Sequence, residues 1–417
     1  MARKRIYLCL AHMSEAGLEQ KYIKEAFDTN WVVPLGPNVN GFEKDLEAFV
    51  GQNKRVVALS AGTAAVHLAL IACGVGPGDE VLVQSFTFCA SSHPITYLGA
   101  TPVFVDSEPE TWNMDPKLME VAIKDRIAKT GKKPKAIVPV ALYGMPYQID
   151  RIMEIADRYE IPVVEDAAEG MGSRFNGQVL GTFGRYGVLS FNGNKMITTS
   201  GGGALITPDE GSWREIMMYA TQYRESYPYY QHEKIGYNYR MSNICAGIGR
   251  GQMTVANDHI AHHKHVQKMY EELLADVEGV KVHVQPTSGE YDSNYWLCTI
   301  TLDPSLRIKG QENAYKTIVT GAVGGAAGVI HAASSAVTDC QPNDNVEALR
   351  VFMDAAGIEA RPVWKPMHKQ PVYASAPAYV NGVSEEIFKI GMCLPAGPYV
   401  SDEDVRYIVE TIKGAIE

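Results

Sequence analysis

Short apolar runs alternate with amphipathic stretches from about residue 56 to residue 166. The runs RVVALS, EVLVQS, TPVFVD, KAIVPVAL and IPVVED carry almost no polar alternation, which is typical of parallel strands that are buried on both faces. The segments GTAAVHLALIACG, ASSHPITYLG and DRIMEIADRYE lie between them and show helical patterns. Repeated strand and helix units of this kind predict a doubly wound α/β sheet with helices on both faces.

The flanking segments predict further elements of the same domain. We expect a helix from Glu15 to Phe27, then a break at the Pro and Gly cluster Pro34–Pro37, and a second amphipathic helix that resumes near Phe42. IYLCLA at the N-terminus is consistent with a short strand, and YGVLSFNG and GGGALIT with two strands around a turn. A long helical region, from about Ser242 to Glu278, leads out of this domain.

The last third of the chain predicts a smaller α+β domain. KVHVQP, YWLCTITL and EARPVW have strand patterns, and helices are expected near Asn345–Ala356 and Asp402–Ile416. We place the boundary near residue 260, so that residues 1–260 form the large domain with an N-terminal arm and residues 261–417 the small one. The stretch Thr317–Thr338 has no charge, but it has too few large apolar side chains for a membrane span, and we expect a packing segment or loop.

Composition narrows the class of protein. The chain has 417 residues, of which 46% are hydrophobic, and a formal net charge of −10, which argues against nucleic acid as a partner. Its seven cysteines are widely spaced without a Cys-x-x-Cys pair, so a disulfide framework or a zinc site is not expected. The N-terminal apolar run is too short for a secretory signal. We therefore expect a cytoplasmic globular protein that does not enter a membrane.

Three polar features follow predicted strands. Asp166 ends IPVVED, at the strand end where open α/β sheets bind ligands; it could cap a helix or pair with the ring nitrogen of a pyridine cofactor. Lys195 lies in a turn rich in Gly, Ser and Thr, and it could be a solvated charge or an amine that forms an imine. Ser60-Ala61-Gly62-Thr63 turns from a strand into a helix, as a simple N-cap or as a phosphate cradle. Dinucleotide and P-loop glycine motifs are absent from the sequence.

The ordered set of motifs is more specific than any one of them. SAGTAAVHLAL, GDEVLVQSFTFCAS, PVVEDAAEGMGS, SFNGNKMITTSGGGALIT and GYNYRMSNICAGIG resemble, in this order, the DegT/DnrJ/EryC1/StrS family. These are fold-type-I aminotransferases that use pyridoxal 5′-phosphate (PLP) and act on nucleotide-linked keto sugars. The resemblance extends from GPNVNGFEK to CLPAGPYV. It implies an α/β fold with a large, mostly parallel sheet domain and a smaller C-terminal α+β domain.

The resemblance also implies roles for single residues. Lys195 would form the Schiff base with PLP and shuttle the proton, and Asp166 would pair with the pyridine nitrogen. The other implied cofactor-binding residues contact the ring faces or the phosphate: Phe88, Ala168, Gly62, Thr63, Ser190 and Asn192. Asn238 would reach the phosphate of a partner subunit, which implies a homodimer with shared sites, and no metal is needed. Glu169 departs from the His or Gln of many relatives.

The implied substrates are an amino-acid donor, by analogy glutamate, and a nucleotide-linked 4-keto-6-deoxy sugar. The motifs resemble most the transaminases that make UDP-4-amino-4,6-dideoxy sugars of the bacillosamine type, and the GDP-perosamine type is the alternative. Lys195 argues against the relatives that carry His there and remove a hydroxyl. A PLP-binding sensor without turnover is a third hypothesis. Candidate sugar contacts are the loop Trp31–Asn40, Tyr143 and the region around Arg240.

Overall fold

The computed structural model of the protein describes residues 4–315 and 340–417. The stretch Thr317–Thr338 lies outside the described residues, and its predicted packing role stays a prediction. Within the described ranges, no helix combines the length and the hydropathy needed to cross a membrane.

Helices and short strands alternate along the described chain. The α-helices are α1 (Leu18–Asp28), α2 (Pro37–Val50), α3 (Gly62–Ala72), α4 (His93–Tyr97), α5 (Pro116–Thr130), α6 (Ile149–Tyr159), α7 (Glu210–Ala220), α8 (Asn243–Met253), α9 (Ala256–Leu274), α10 (Asp344–Ala355), α11 (Val383–Ile390) and α12 (Asp402–Ala415). The strands are β1 (Arg55–Leu59), β2 (Glu80–Gln84), β3 (Thr101–Val105), β4 (Ala136–Val138), β5 (Val164–Asp166), β6 (Arg174–Phe175), β7 (Gln178–Val179), β8 (Tyr186–Ser190), β9 (Gly203–Thr207), β10 (Val280–Val282), β11 (Tyr291–Asp292), β12 (Cys298–Leu302), β13 (Arg361–Pro362), β14 (Ala378–Tyr379) and β15 (Gly391–Leu394).

The large sheet has the strand order β1-β9-β8-β5-β4-β2-β3-β14. Two four-stranded ladders meet between β5 and β4. There the N–H of Ile137 donates to the carbonyl of Pro162 at 3.0 Å, and the N–H of Asp166 donates to the carbonyl of Pro139 at 2.9 Å. Strand β9 is antiparallel to its two neighbours, whereas the other pairs are parallel. The prediction of a mostly parallel sheet, with YGVLSFNG and GGGALIT as two strands around a turn, is confirmed.

Apart from the edge strand β14, the strands of this sheet are buried on both faces, as the apolar runs predict. On β1, Val56 and Ala58 pack into the same cluster as Phe42 of α2. Val57 and Leu59 point the other way, into a cluster that contains residues of α3 and α7. Alternating side chains therefore supply two hydrophobic layers, and the carboxyl ends of the strands are left to bind ligands.

A smaller antiparallel sheet has the order β10-β12-β15-β13. Helix α9 joins the two cores: Ile260 packs in the core of the large sheet, whereas Val266 and Tyr270 pack with the small sheet. The division into residues 1–260 and 261–417 stays a prediction, and residue 260 lies inside this continuous helix. The edge strand β14, from the C-terminal part of the chain, pairs with β3.

Several local predictions need correction. Helix α2 begins at Pro37 rather than near Phe42, because proline suits the first turn of a helix and Gly36 adopts a φ of 137° before it. The region after Ser242 is two helices that break between Met253 and Ala256. IYLCLA forms only one bridge, at Ile6. The sequence analysis did not predict α5, α7, α11 or the β6–β7 hairpin.

Candidate functional site

A cavity of about 410 Å³ lies at the carboxyl ends of β5 and β8, within the range of small-molecule sites. It brings together eight of the nine residues that the sequence predicted as a site: Gly62, Thr63, Phe88, Asp166, Ala168, Ser190, Asn192 and Lys195. These residues come from several separate segments of the chain, so the parallel sheet is what assembles them. Asn238 does not line the cavity.

Asp166 is the last residue of β5, and its carboxylate is buried. One oxygen accepts a hydrogen bond from the hydroxyl of Ser91 at 2.6 Å, and the other from the backbone N–H of Ala168 at 3.1 Å. Burial raises the pKa of Asp166, while the Ser91 hydrogen bond, the Ala168 N–H and the charge of Lys195 act to lower it. The carboxylate is fixed in orientation and can hold a protonated ring nitrogen.

Lys195 lies in the turn between β8 and β9, and its side chain is only 12% exposed. The amine Nζ is 3.3 Å from Oε1 of Glu169 and 3.9 Å from the centre of the Trp296 ring. A carboxylate and an aromatic face both attract an ammonium group. The solvated-charge interpretation of Lys195 therefore does not describe this side chain.

The N-terminus of α3 forms the third side of the cavity. No side chain caps the helix, so the first-turn N–H groups around Gly62 and Thr63 remain available to an anion. The backbone packs closely here: a Cβ on Gly62 would lie 3.0 Å from the Cβ of Ser190, and a Cβ on Gly203 would lie 2.4 Å from the backbone nitrogen of Gly62. The N-cap alternative is thus excluded for this helix start, and the cradle alternative fits.

Aromatic rings close the cavity. Phe88 is half exposed, and its ring centre is 5.5 Å from that of Trp364. Trp296 is buried and donates from Nε1 to the carbonyl of Asn194 at 2.7 Å. The sequence does not mark either tryptophan as a site residue, because YWLCTITL and EARPVW have only the patterns of strands. The structure shows that β12 begins at Cys298, after Trp296.

The segment that carries Trp364 is tied to the large sheet. The backbone N–H of Trp364 donates to the hydroxyl of Tyr143 at 2.7 Å. Four residues on, His368 Nδ1 is 2.6 Å from Oγ of Ser85, and His368 Nε2 is 3.1 Å from Oε1 of Glu385. These contacts fix one wall of the cavity against the end of β2.

The residues predicted to contact the sugar lie in different surroundings, some buried and some exposed. Tyr143 is buried behind the tryptophans rather than on the cavity wall. Arg240 forms a buried ion pair with Glu43. In the loop, Trp31–Leu35 keeps exposed apolar side chains, whereas Pro37 onward belongs to α2. Asn238 is exposed on the surface and forms an isolated bridge with Thr221.

The cavity fits a flat, anionic, aldehyde-bearing cofactor. It offers an amine, a buried carboxylate, an uncapped helix N-terminus with a nearby hydroxyl, and aromatic walls. A metal is a poorer fit, since the described residues contain no group of three or more His, Cys, Asp or Glu side chains that could hold one. The donor set therefore matches the requirements of PLP.

Comparisons with known proteins agree over almost the whole chain. The model of the DegT/DnrJ/EryC1/StrS aminotransferase family matches residues 14–316 and 311–413. EpsN of Bacillus subtilis (strain 168), named as a pyridoxal phosphate-dependent aminotransferase, is 41% identical over 98% of this chain and 95% of its own. GDP-perosamine synthase of Escherichia coli O157:H7 is 34% identical over 97% of this chain and 98% of its own. The crystal structure of a DegT DnrJ EryC1 StrS aminotransferase from Brucella abortus superposes with a TM-score of 0.81 at 28% identity, over 96% of this chain and 95% of its own.

Proposed function

Because this chain belongs to the DegT/DnrJ/EryC1/StrS aminotransferase family, we propose that Lys195 and Asp166 are its catalytic residues. The chain is a PLP-dependent sugar aminotransferase with the fold-type-I architecture. The observation that carries the residue assignment is the placement of one buried amine and one buried carboxylate in the same cavity, beside the uncapped start of α3.

The roles of the residues follow from their surroundings. PLP, when bound, would supply an electron-withdrawing ring that stabilises negative charge on the carbon that carries the amino group being transferred. Asp166 would keep the ring nitrogen protonated, and Ser91 holds the carboxylate of Asp166 in place. Lys195 takes up and returns the proton at the reacting carbon, since its amine is the basic group on the cavity wall beside Asp166.

The other site residues hold the cofactor. The N–H groups at Gly62 and Thr63, with the hydroxyl of Ser190 and the side chain of Asn192, bind the phosphate. Phe88 and Ala168 line the same cavity and would pack against the two faces of the ring. The close approach of Gly203 to Gly62 supports this assignment, because it leaves no room for a side chain behind the phosphate cradle.

For the acceptor, we propose a nucleotide-linked 4-keto-6-deoxy sugar, aminated at the expense of glutamate for the synthesis of cell-surface glycan precursors in the cytoplasm. The motifs SFNGNKMITTSGGGAL and YNYRMSNICAGIG support a UDP carrier by their resemblance. The second candidate is a GDP-linked substrate, and the 34% identity with GDP-perosamine synthase over 97% of this chain favours it. Turnover of matched UDP-, GDP- and dTDP-4-keto sugars decides between them, and strong preference for the GDP sugar would exclude the UDP assignment.

We propose a homodimer with two shared sites. Asn238 is exposed and lies outside the cavity of its own chain, and Trp31, Val32 and Leu35 present an exposed apolar patch. Mixing inactive Lys195→Ala and Asn238→Ala subunits tests the sharing, because a heterodimer then contains one intact site. Recovered activity supports the shared site, and its absence in proven heterodimers contradicts it.

The covalent assignment is tested by borohydride reduction of the PLP-loaded protein, followed by peptide mapping. We expect a visible absorbance band that changes on addition of glutamate, and a label at Lys195. Lys195→Ala should lose the label and the turnover, whereas Lys129→Ala, at a largely exposed lysine, should keep both. A label at another lysine, or none with wild type, would exclude the proposed roles.

A further inference from the structure

A second buried acid in the cavity has no role in the function proposed above. Glu169 follows Asp166 by three residues, and its side chain is only 4% exposed. Oε2 of Glu169 accepts a hydrogen bond from the backbone N–H of Tyr143 at 2.7 Å. The other oxygen, Oε1, is 3.3 Å from Nζ of Lys195. The carboxylate thus bridges a fixed backbone group and the reactive amine.

The backbone of Glu169 is held as firmly as its side chain. The amide of Asn294 donates to the carbonyls of Glu169 and Met171, at 2.9 Å each. The next residue, Gly170, is closely packed, since a Cβ there would lie 2.8 Å from the Cβ of Ala141. A carboxylate fixed at both ends has little freedom to move away from Lys195, so their contact is preorganised.

The amine also has a fixed neighbour on its other side. The ring centre of Trp296 is 3.9 Å from Nζ of Lys195, and the indole is anchored through its Nε1 hydrogen bond to Asn194. A carboxylate and an aromatic face both attract an amino group that carries a charge. Together they define one position for Lys195 when it is not bonded to the cofactor.

We infer that Glu169 is a positioning residue that holds the free amine of Lys195 against Trp296. The inference rests on the proposed function, since it concerns the interval in which the amine of Lys195 is released. The contact keeps Nζ at one place on the cavity wall and keeps the side chain out of the space that the substrate must enter.

The test measures the reactivity of Lys195 in the cofactor-free full-length protein. Acetylation by limiting acetic anhydride at one fixed pH is quantified at the Lys195 peptide by mass spectrometry. Glu169→Gln removes the carboxylate that holds Nζ, so Lys195 of this variant should be acetylated about tenfold faster than Lys195 of wild type.

The matched control is Glu80→Gln. Glu80 also forms a sheltered ion pair, with Arg126, but it lies at the amino end of β2, away from the cavity. This variant should leave the acetylation rate of Lys195 unchanged.

An acetylation rate of Lys195 in Glu169→Gln equal to that of wild type would overturn the inference and leave Glu169 as a structural tie to Tyr143. If this variant does not fold, Glu169→Asp replaces it. Its carboxylate is withdrawn by one carbon, so a smaller rise in the acetylation rate of Lys195 is expected, and no change again overturns the inference. Failure of wild type to capture PLP at Lys195 would count against the proposed function alone, because the acetylation of Lys195 needs no cofactor.

Discussion

The phosphate cradle can be disturbed without touching any side chain that faces the cavity, by Gly203→Ala. The added Cβ would lie 2.4 Å from the nitrogen of Gly62 and 2.5 Å from the carbonyl carbon of Ala61. Ordinary contacts are ~3.5 Å, so the start of α3 must move by roughly 1 Å. Overpacking of this kind costs about 1–3 kcal/mol of the free energy of unfolding.

The same movement should weaken the binding of PLP. A hydrogen bond to a charged group contributes about 1.5–3 kcal/mol, so loss of one N–H contact to the phosphate should raise the Kd about tenfold or more. Fluorescence titration of the cofactor-free protein measures this Kd, and urea unfolding measures the stability. Gly201→Ala is the matched control, because a Cβ there meets nothing within 4 Å.

Comparison of the two variants tests this explanation. Gly203→Ala should have a higher Kd for PLP and a lower free energy of unfolding than Gly201→Ala, and inorganic phosphate should compete with PLP less well in Gly203→Ala. If Gly203→Ala binds PLP with the affinity of wild type, the start of α3 does not hold the phosphate. If Gly201→Ala weakens binding equally, the close contact with Gly62 is not the cause.

Three further predictions concern single side chains. Ser91→Ala removes the hydroxyl that donates to Asp166 at 2.6 Å, so turnover should fall about tenfold, equivalent to ~1.4 kcal/mol, and unchanged kinetics would show that this bond does not matter. His368→Ala loosens the segment of Trp364, and steady-state kinetics should show a severalfold higher KM for the keto sugar with little change in the donor half-reaction; an effect on the donor alone would contradict this. Burial lowers the pKa of His263 from 6.5 to about 3, so the folded protein binds fewer protons than the unfolded chain, and urea midpoints should fall as the pH drops from 6.5 towards 3. His263→Gln should reduce this dependence on pH, and an equal slope would refute the assignment.

The sheet could be predicted in outline because its strands are short and apolar on both faces. EVLVQS and TPVFVD became the parallel strands β2 and β3 with nearly the predicted bounds. RVVALS became β1 with nearly the predicted bounds, but the prediction that it is parallel was wrong, because it pairs antiparallel with β9 at the edge of the sheet. Helix α5 was not predicted, because its sequence PKLMEVAIKDRIAKT mixes charged residues through the apolar positions. The start of α2 was misplaced because the Pro and Gly cluster marked a break, whereas Pro37 is the first residue of the helix.

Some residues of the site could be predicted from the sequence, and others could not. Asp166 and Lys195 each carry a local signal, the acid at a strand end and the lysine in a small-residue turn, and the motif order connects them. Trp296 and Trp364 have no such signal, since a tryptophan beside a strand pattern is ordinarily a core residue. Only the folded chain places them on the cavity wall.

The sequence by itself determined the class of sheet, the family and the chemical groups at the site, because strand periodicity and motif order are local properties of the chain. The tertiary structure alone decided that Glu169 reaches Lys195 rather than solvent. It alone decided that α3 starts without a cap against Gly203, and that tryptophans from two distant segments enclose the amine and the ring site. Such contacts join residues far apart in sequence, and their distances and burial arise only when the strands and helices pack together.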